Sequence, residues 1–256
     1  KFIMAYTTIN KSSLHMNTKL YTGNGGTQTI TGVGFQSDFT WFKSRSAANS
    51  HSLFDSVRGL GYALSSNLDG AQIPVATQTF NSDGYVLAND GGAPSVNPNG
   101  VTTAAWNWKA NGTGVANTDG DIASTVSANT TSGFSIVKWT GNGSNDQRIG
   151  HGLGVRPVCW IIKRFTSSGD WVVVHPGLGT SWYDDTYLFL NSTSAQSGSF
   201  NTGTGNPTSS VFYVGSDGLV NGSGSEYIAY VFAEKQGFSK FGSYTGNGNA
   251  DGTFVY

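Results

Sequence analysis

The sequence predicts an all-β chain of tandem antiparallel β-sandwich or jelly-roll units, and three observations predict it. Short runs rich in aromatic and β-branched residues recur at about 8–12-residue intervals. No window carries a capped apolar stripe of helical period. A five-residue motif also returns: Tyr21-Thr22-Gly23-Asn24-Gly25 recurs as Trp139-Thr140-Gly141-Asn142-Gly143 and as Tyr244-Thr245-Gly246-Asn247-Gly248. The copies stand about 118 and 105 residues apart, a spacing that suits one small domain each.

In chain order, residues 20–31 read as a hairpin, because Gly23-Asn24-Gly25-Gly26 supplies the positive φ angles of a tight turn between alternating residues. Residues 39–44, 160–165 and 171–175 read as strands. Flanking segments correspond between repeats. Trp41-Phe42-Lys43 matches Trp160-Ile161-Ile162-Lys163, and Tyr62-Ala63-Leu64 matches Tyr187-Leu188-Phe189. Ser82-Asp83-Gly84 matches Ser216-Asp217-Gly218, each a turn whose carboxylate accepts backbone N–H bonds. Ala104-Ala105-Trp106-Asn107-Trp108 closes the first unit as Ile228-Ala229-Tyr230-Val231-Phe232 closes the second. The organisation expected is an N-terminal segment (1–17), repeat 1 (18–137), repeat 2 (138–240) and the start of a third, truncated repeat (241–256). One hairpin cannot bury its own apolar face, so the third start is expected to belong to a longer polypeptide or to dock on a neighbour. Residues 89–100 and 192–210 read as long surface loops, where a repeat domain varies its ligand.

Composition narrows the function. Of 256 residues 37% are hydrophobic and 13% aromatic, a packing chain, but only 11% are charged, against about 25% in an average domain. Lys and Arg number 14 against 15 Asp and Glu, a net charge of −1. Nucleic-acid binding needs a basic footprint that this chain lacks. No apolar run reaches the ~18 residues of a membrane span, and no signal-peptide stretch follows Lys1; Met4 reads as a natural start. The single cysteine, Cys159, lies in Val158-Cys159-Trp160-Ile161-Ile162 and reads as a small core residue.

Candidate chemistry is sparse. The four histidines (His15, His51, His151 and His175) have no metal-ligand spacing and read as surface or turn residues. Asp119-Gly120-Asp121 resembles a piece of a calcium loop but lacks its later ligands. Glycoside hydrolysis needs two facing carboxyl groups, whereas Glu occurs only at Glu226 and Glu234. Gly141-Asn142-Gly143-Ser144 opens no helix and is no phosphate loop. No cofactor and no metal are expected. Trp41, Trp106, Trp160 and Trp171 sit in strand patterns and are core candidates. Trp182-Tyr183-Asp184-Asp185 lies in a less regular stretch, and exposed aromatics beside carboxylates can stack on a sugar face and bind its hydroxyls. These four residues are the candidate glycan contact.

The stretch Met4-Ala5-Tyr6-Thr7-Thr8-Ile9-Asn10-Lys11-Ser12-Ser13, the three Thr-Gly-Asn-Gly motifs, Leu53-Phe54-Asp55-Ser56-Val57-Arg58-Gly59 and Ile228-Ala229-Tyr230-Val231-Phe232-Ala233-Glu234 resemble a family of marine bacteriophage virion proteins. Such proteins carry tandem domains of concanavalin A-like lectin/glucanase character. The resemblance implies a non-enzymatic virion structural protein, a tail fibre or appendage engaged in host attachment through surface glycan. It also implies a homo-oligomer, often a trimer, in contact with other virion proteins on an extracellular particle, without nucleic acid or membrane insertion. A capsid-decoration or assembly spacer without a ligand is the alternative, and a glycan depolymerase a remote one. His175-Pro176-Gly177 stands where the first unit has Phe54-Asp55-Ser56, so no role of Asp55 or Arg58 carries over to the second unit.

Overall fold

In a computed structural model the described residues are 6–75, 78–87, 96–179, 186–198 and 205–255. The fold is all-β, and among the described residues one 3-10 turn occurs, at Ser12–Leu14. The first half contributes β1 (Met16–Thr22), β2 (Gln28–Thr31), β3 (Phe39–Ser44), β4 (Ser52–Asp55), β5 (Tyr62–Ala63), β6 (Ile73–Pro74), β7 (Thr79–Asn81), β8 (Gly84–Leu87) and β9 (Thr102–Trp108). The second contributes β10 (Val115–Asn117), β11 (Ser124–Asn129), β12 (Phe134–Thr140), β13 (Gln147–Gly150), β14 (Cys159–Arg164), β15 (Val172–Val174), β16 (Leu188–Phe189), β17 (Val211–Val214) and β18 (Glu226–Phe232).

Pairing is antiparallel throughout these sheets. A four-stranded sheet, β1-β9-β3-β4, faces a three-stranded one, β2-β8-β7. A seven-stranded sheet, β10-β11-β12-β18-β14-β15-β16, faces the β13-β17 pair. Residues 115–137, grouped above with repeat 1, are therefore hydrogen-bonded into the second unit's sheet, where Ser124 pairs with Trp139 and Asn129 with Phe134. In both units the strand entering the Thr-Gly-Asn-Gly motif pairs with the closing strand: β1 with β9 and β12 with β18.

Side-chain alternation sorts the apolar residues into three cores, because successive strand residues face opposite sides. Phe42, Phe54, Tyr85, Leu87 and Ala105 fill the first sandwich. Val137, Trp139, Trp160, Ile162, Phe212, Tyr227 and Ala229 fill the second. Phe39, Leu53, Leu64, Phe134, Ile136, Trp171, Ile228 and Tyr230 form a third core between the two large sheets. The strand β18 shows the logic: Tyr227, Ala229 and Val231 point into the second sandwich while Ile228 and Tyr230 point into the shared core. A strand covered on both faces needs no polar alternation, which is why residues 227–232 read as one apolar run.

The expected hairpin at 20–31 does not form. β1 pairs with β9 and β2 with β8, so Thr-Gly-Asn-Gly turns the chain from one sheet of the sandwich to the other. A loop from the far end of the unit holds this corner. Asn97 Oδ1 accepts the Asn24 N–H at 3.0 Å, Asn97 Nδ2 donates to Asn24 Oδ1 at 2.9 Å, and the Gly25 N–H donates to Asn97 O at 2.9 Å. Asn221 repeats the arrangement on Asn142 and Gly143 at 3.1, 3.1 and 2.8 Å. The corner glycines are dictated by this approach. A Cβ on Gly23 would sit 2.2 Å from Pro98 O, and one on Gly141 would sit 2.4 Å from Gly222 O.

The clasp also corrects the matching of the two Ser-Asp-Gly turns. Asp83 precedes β8, and its carboxylate accepts the Gly32 and Gly34 N–H groups. Asp217 follows β17 and accepts the Leu219 N–H. Both carboxylates serve turns, but at different corners. The true correspondence is Val96-Asn97-Pro98-Asn99-Gly100 with Val220-Asn221-Gly222-Ser223-Gly224.

Candidate functional site

The shared core is closed on one side by a polar lock. The Asp55 and Arg58 side chains are fully buried and paired, Arg58 Nε donating to Asp55 Oδ2 at 2.6 Å. Asp55 Oδ1 accepts the Val57 and Arg58 N–H groups, and the remaining Arg58 donors reach Gln72 Oε1 and Leu53 O, both at 3.1 Å. Tyr230 of the second unit donates its hydroxyl to Asp55 Oδ2 at 2.9 Å. Burial works against the Arg58 charge, yet the adjoining carboxylate outweighs it and raises the guanidinium pKa. The Tyr230 phenol is pushed well above its ordinary value, first by burial and then by Asp55.

A second tie runs the other way. Lys163 of β14 is wholly buried and donates to Asp69 O of the first unit at 2.8 Å and to Gly169 O at 2.6 Å. Desolvation brings its ammonium down to about 8. The indole N–H of Trp171 reaches across to Ser65 O at 3.0 Å.

On the opposite side the shared core opens into a cleft of about 510 Å³, floored by Trp41, Trp108, Phe134, Ile161 and Phe232 and rimmed by His15, Ser132, Ser239 and Phe241. A chamber of about 40 Å³ continues inward to Phe39, Trp171 and Tyr230. The aromatic rings form a continuous series: Tyr230 on Phe39 at 4.0 Å, Phe39 on Trp108 at 5.1 Å, Phe134 on Phe232 at 5.1 Å and Phe232 on Phe241 at 5.7 Å. Trp41 is oriented by its indole N–H, which donates to His51 Nδ1 at 2.6 Å. Desolvation, aided by nearby Lys43, lowers the His51 pKa and keeps that nitrogen an acceptor. The Cys159 thiol on the cleft wall is raised by burial to about 12, so it is an apolar surface rather than a nucleophile. The cleft can accept an apolar chain, a flat aromatic group or the non-polar face of a sugar ring.

The structure redistributes the residues singled out in the sequence. Trp160 and Trp171 are core, as expected. Trp41 and Trp106 are only half-buried, Trp41 lining the cleft. Trp139, Tyr85, Tyr227 and Tyr230 are buried with Trp160 and Trp171. His151, expected at the surface, is fully buried, its Nδ1 accepting the Leu153 N–H at 3.2 Å. Asp121 of the calcium-like stretch is held by Arg148 through Nε at 2.8 Å and Nη2 at 2.5 Å, which brings its pKa to about 2. Trp182, Tyr183, Asp184 and Asp185 lie outside the described residues. The cleft left only a faint sequence signal: the crowding of Trp41, Trp106 and Trp108 into two paired strands.

A family model described as a domain of unknown function, DUF7483, matches residues 11–256. The chain belongs to the DUF7483 family. The match spans both sandwiches and the third Thr-Gly-Asn-Gly motif, so the lock, the clasps and the cleft all lie within one DUF7483 domain. No curated protein and no solved structure matches the chain.

Proposed function

We propose that this DUF7483 chain is a non-enzymatic structural component of a bacteriophage virion, a tail-fibre or appendage module that takes part in host attachment. The observation that carries the reading is the union of two repeated sandwiches through a core of their own, locked by Asp55, Arg58 and Tyr230. Repeats joined this way give a stiff, weakly charged block that needs no disulfide, which suits an extracellular appendage built of successive units. The resemblance of the repeat motifs to marine phage virion proteins points the same way. In this reading the protein forms a homo-oligomer, a trimer in the usual fibre symmetry, and meets other virion proteins at its ends. Host glycan is bound by aromatics beside carboxylates, with Trp182, Tyr183, Asp184 and Asp185, which lie outside the described residues, as the contact.

Immunogold labelling of intact particles with an antibody to the chain tests it. Label at fibre or tail tips is the expected result, followed by lost adsorption, with assembly intact, for Trp182→Ala/Tyr183→Ala. Label spread over the capsid or tail tube assigns the decoration or spacer role instead. Particles without label reject both.

A further inference from the structure

Six Asn-Gly pairs occur in the chain: Asn24-Gly25, Asn99-Gly100, Asn111-Gly112, Asn142-Gly143, Asn221-Gly222 and Asn247-Gly248. In this dipeptide the backbone nitrogen reaches the asparagine side-chain amide with least hindrance, because glycine has no Cβ in the way. Whether it does so depends on the glycine N–H. A nitrogen whose N–H is held in a hydrogen bond cannot swing round to the amide carbon until that bond opens.

Five of the six are held. The Gly25 N–H donates to Asn97 O at 2.9 Å, the Gly100 N–H to Gly23 O at 2.9 Å and the Gly143 N–H to Asn221 O at 2.8 Å. The Gly112 N–H donates to Asp38 Oδ1 at 3.1 Å and the Gly222 N–H to the Tyr227 hydroxyl at 2.7 Å. Among the described residues none accepts the Gly248 N–H, and a Cβ on Gly248 would meet nothing within 4 Å. Local geometry does not make this difference. Asn247 Oδ1 accepts the Asn249 N–H at 3.0 Å, as Asn24 does for Gly26 and Asn142 for Ser144, each at 2.9 Å. Gly248 has φ +70°, against +71° for Gly25 and +74° for Gly143. Solvent access does not make it either, since Asn24, Asn99, Asn111 and Asn142 are exposed as Asn247 is. What separates the third motif from the first two is the bond to Asn97 O or Asn221 O.

We propose that Asn247-Gly248 is a self-modification site, where the asparagine converts to aspartate and isoaspartate without an enzyme, and that the clasps shield the two equivalent motifs from the same reaction. The Gly248 nitrogen attacks Asn247 Cγ. The new N–Cγ bond closes a cyclic succinimide, the Cγ–Nδ2 bond breaks, and the amide departs as ammonia with the proton that the Gly248 nitrogen gives up. Water then opens the ring at either carbonyl. Opening at Cγ restores the ordinary backbone as aspartate. Opening at the backbone carbonyl leaves isoaspartate, whose main chain runs through the former side chain and is longer by a methylene. Each event adds a carboxylate to a chain of net charge −1. As isoaspartate it also remakes the turn at the third motif, because the Asn249 N–H loses the amide oxygen it now donates to.

Trypsin separates the six pairs into six peptides, since a Lys or Arg lies between each pair and the next. The protein is incubated at mildly alkaline pH, native in one arm and unfolded in guanidinium chloride in the other. The mass gain of amide-to-acid conversion is followed in each peptide. In the native arm conversion at Asn247 should be at least about tenfold faster than at Asn24 and Asn142, because those two react only from opened corners. In the unfolded arm the three Thr-Gly-Asn-Gly motifs should convert at similar rates. The native product at residue 247 should include isoaspartate, detected with a carboxyl methyltransferase specific for it. Equal native rates at the three motifs would overturn the proposal. So would a tenfold preference for Asn247 that persists in the unfolded arm, which would place the cause in the local sequence, or a product that is aspartate alone, which would mean direct hydrolysis of the amide.

Discussion

Tyr230 and Asp55 are 175 residues apart in sequence and joined by a 2.9 Å hydrogen bond in a fully buried site. The phenol hydroxyl satisfies a carboxylate whose other partners all lie in the first unit, so one bond ties the closing strand of the second sandwich to an edge strand of the first.

Tyr230→Phe keeps the ring in its stack on Phe39 and removes only this donor. A hydrogen bond to a charged group contributes about 1.5–3 kcal/mol, and urea unfolding should show the unfolding free energy lowered by that amount, seen as a lower midpoint at constant slope. Asp55→Ala should cost more, about 3–5 kcal/mol, because Arg58 would remain buried without its counter-charge. Equal effects of the two variants would mean that the ion pair contributes nothing beyond the tyrosine.

The clasps predict a matched pair of variants. Asn97→Ala and Asn221→Ala each leave a corner with unsatisfied backbone groups, at about 1–3 kcal/mol apiece. Gly23→Ala and Gly141→Ala should be at least as damaging, since the new methyl meets a carbonyl oxygen. Thermal unfolding of the four variants checks this; a silent Asn221→Ala would show that the second corner is held by its strands alone.

Acid should weaken the fold near neutrality. Burial lowers the pKa of His15, His51, His151 and His175 below the ordinary 6.5. Unfolded chains then bind protons that the folded protein does not, so this contribution is complete above pH 6.5 and is lost progressively as pH falls below it. The melting temperature should drop between pH 7 and pH 5. His151→Asn, which can still accept the Leu153 N–H, should shallow the drop; an unchanged slope would remove His151 from the account.

Lys163 predicts an alkaline rise. Its folded value of about 8 lies below the ordinary 10.5, so from pH 8 upward the folded lysine releases its proton before the unfolded one does, and stability increases with pH. Above pH 10 the raised phenols of Tyr85, Tyr227 and Tyr230 act in the opposite direction, because the unfolded tyrosines ionise first. Urea midpoints at pH 7.5, 8.5 and 9.5 should climb in the native protein and stay level in Lys163→Met. A native midpoint that also stays level would place the ammonium in contact with water.

Sequence alone determined the strand content, the repeat and the local turns. Phe39–Ser44 is a strand by its aromatic alternation, and the positive-φ glycine after each motif asparagine follows from Asn-Gly chemistry alone. Cys159 belongs in a core by its neighbours. These are properties of a few consecutive residues, so they survive without knowledge of what lies opposite.

Only the tertiary structure decided which faces meet. The run 227–232 is apolar in both registers, and nothing local says that one face closes a sandwich while the other meets a second unit. Asp55 and Lys163 look like surface charges until Tyr230 and the Asp69 carbonyl are brought to them from 175 and 94 residues away. Asn97 and Asn221 are likewise ordinary loop asparagines until they land on corners 73 and 79 residues away. The reason is physical. Backbone propensity is a short-range quantity, whereas burial of charge, clasp geometry and an aromatic cleft depend on desolvation by partners whose distance along the chain leaves no periodic trace.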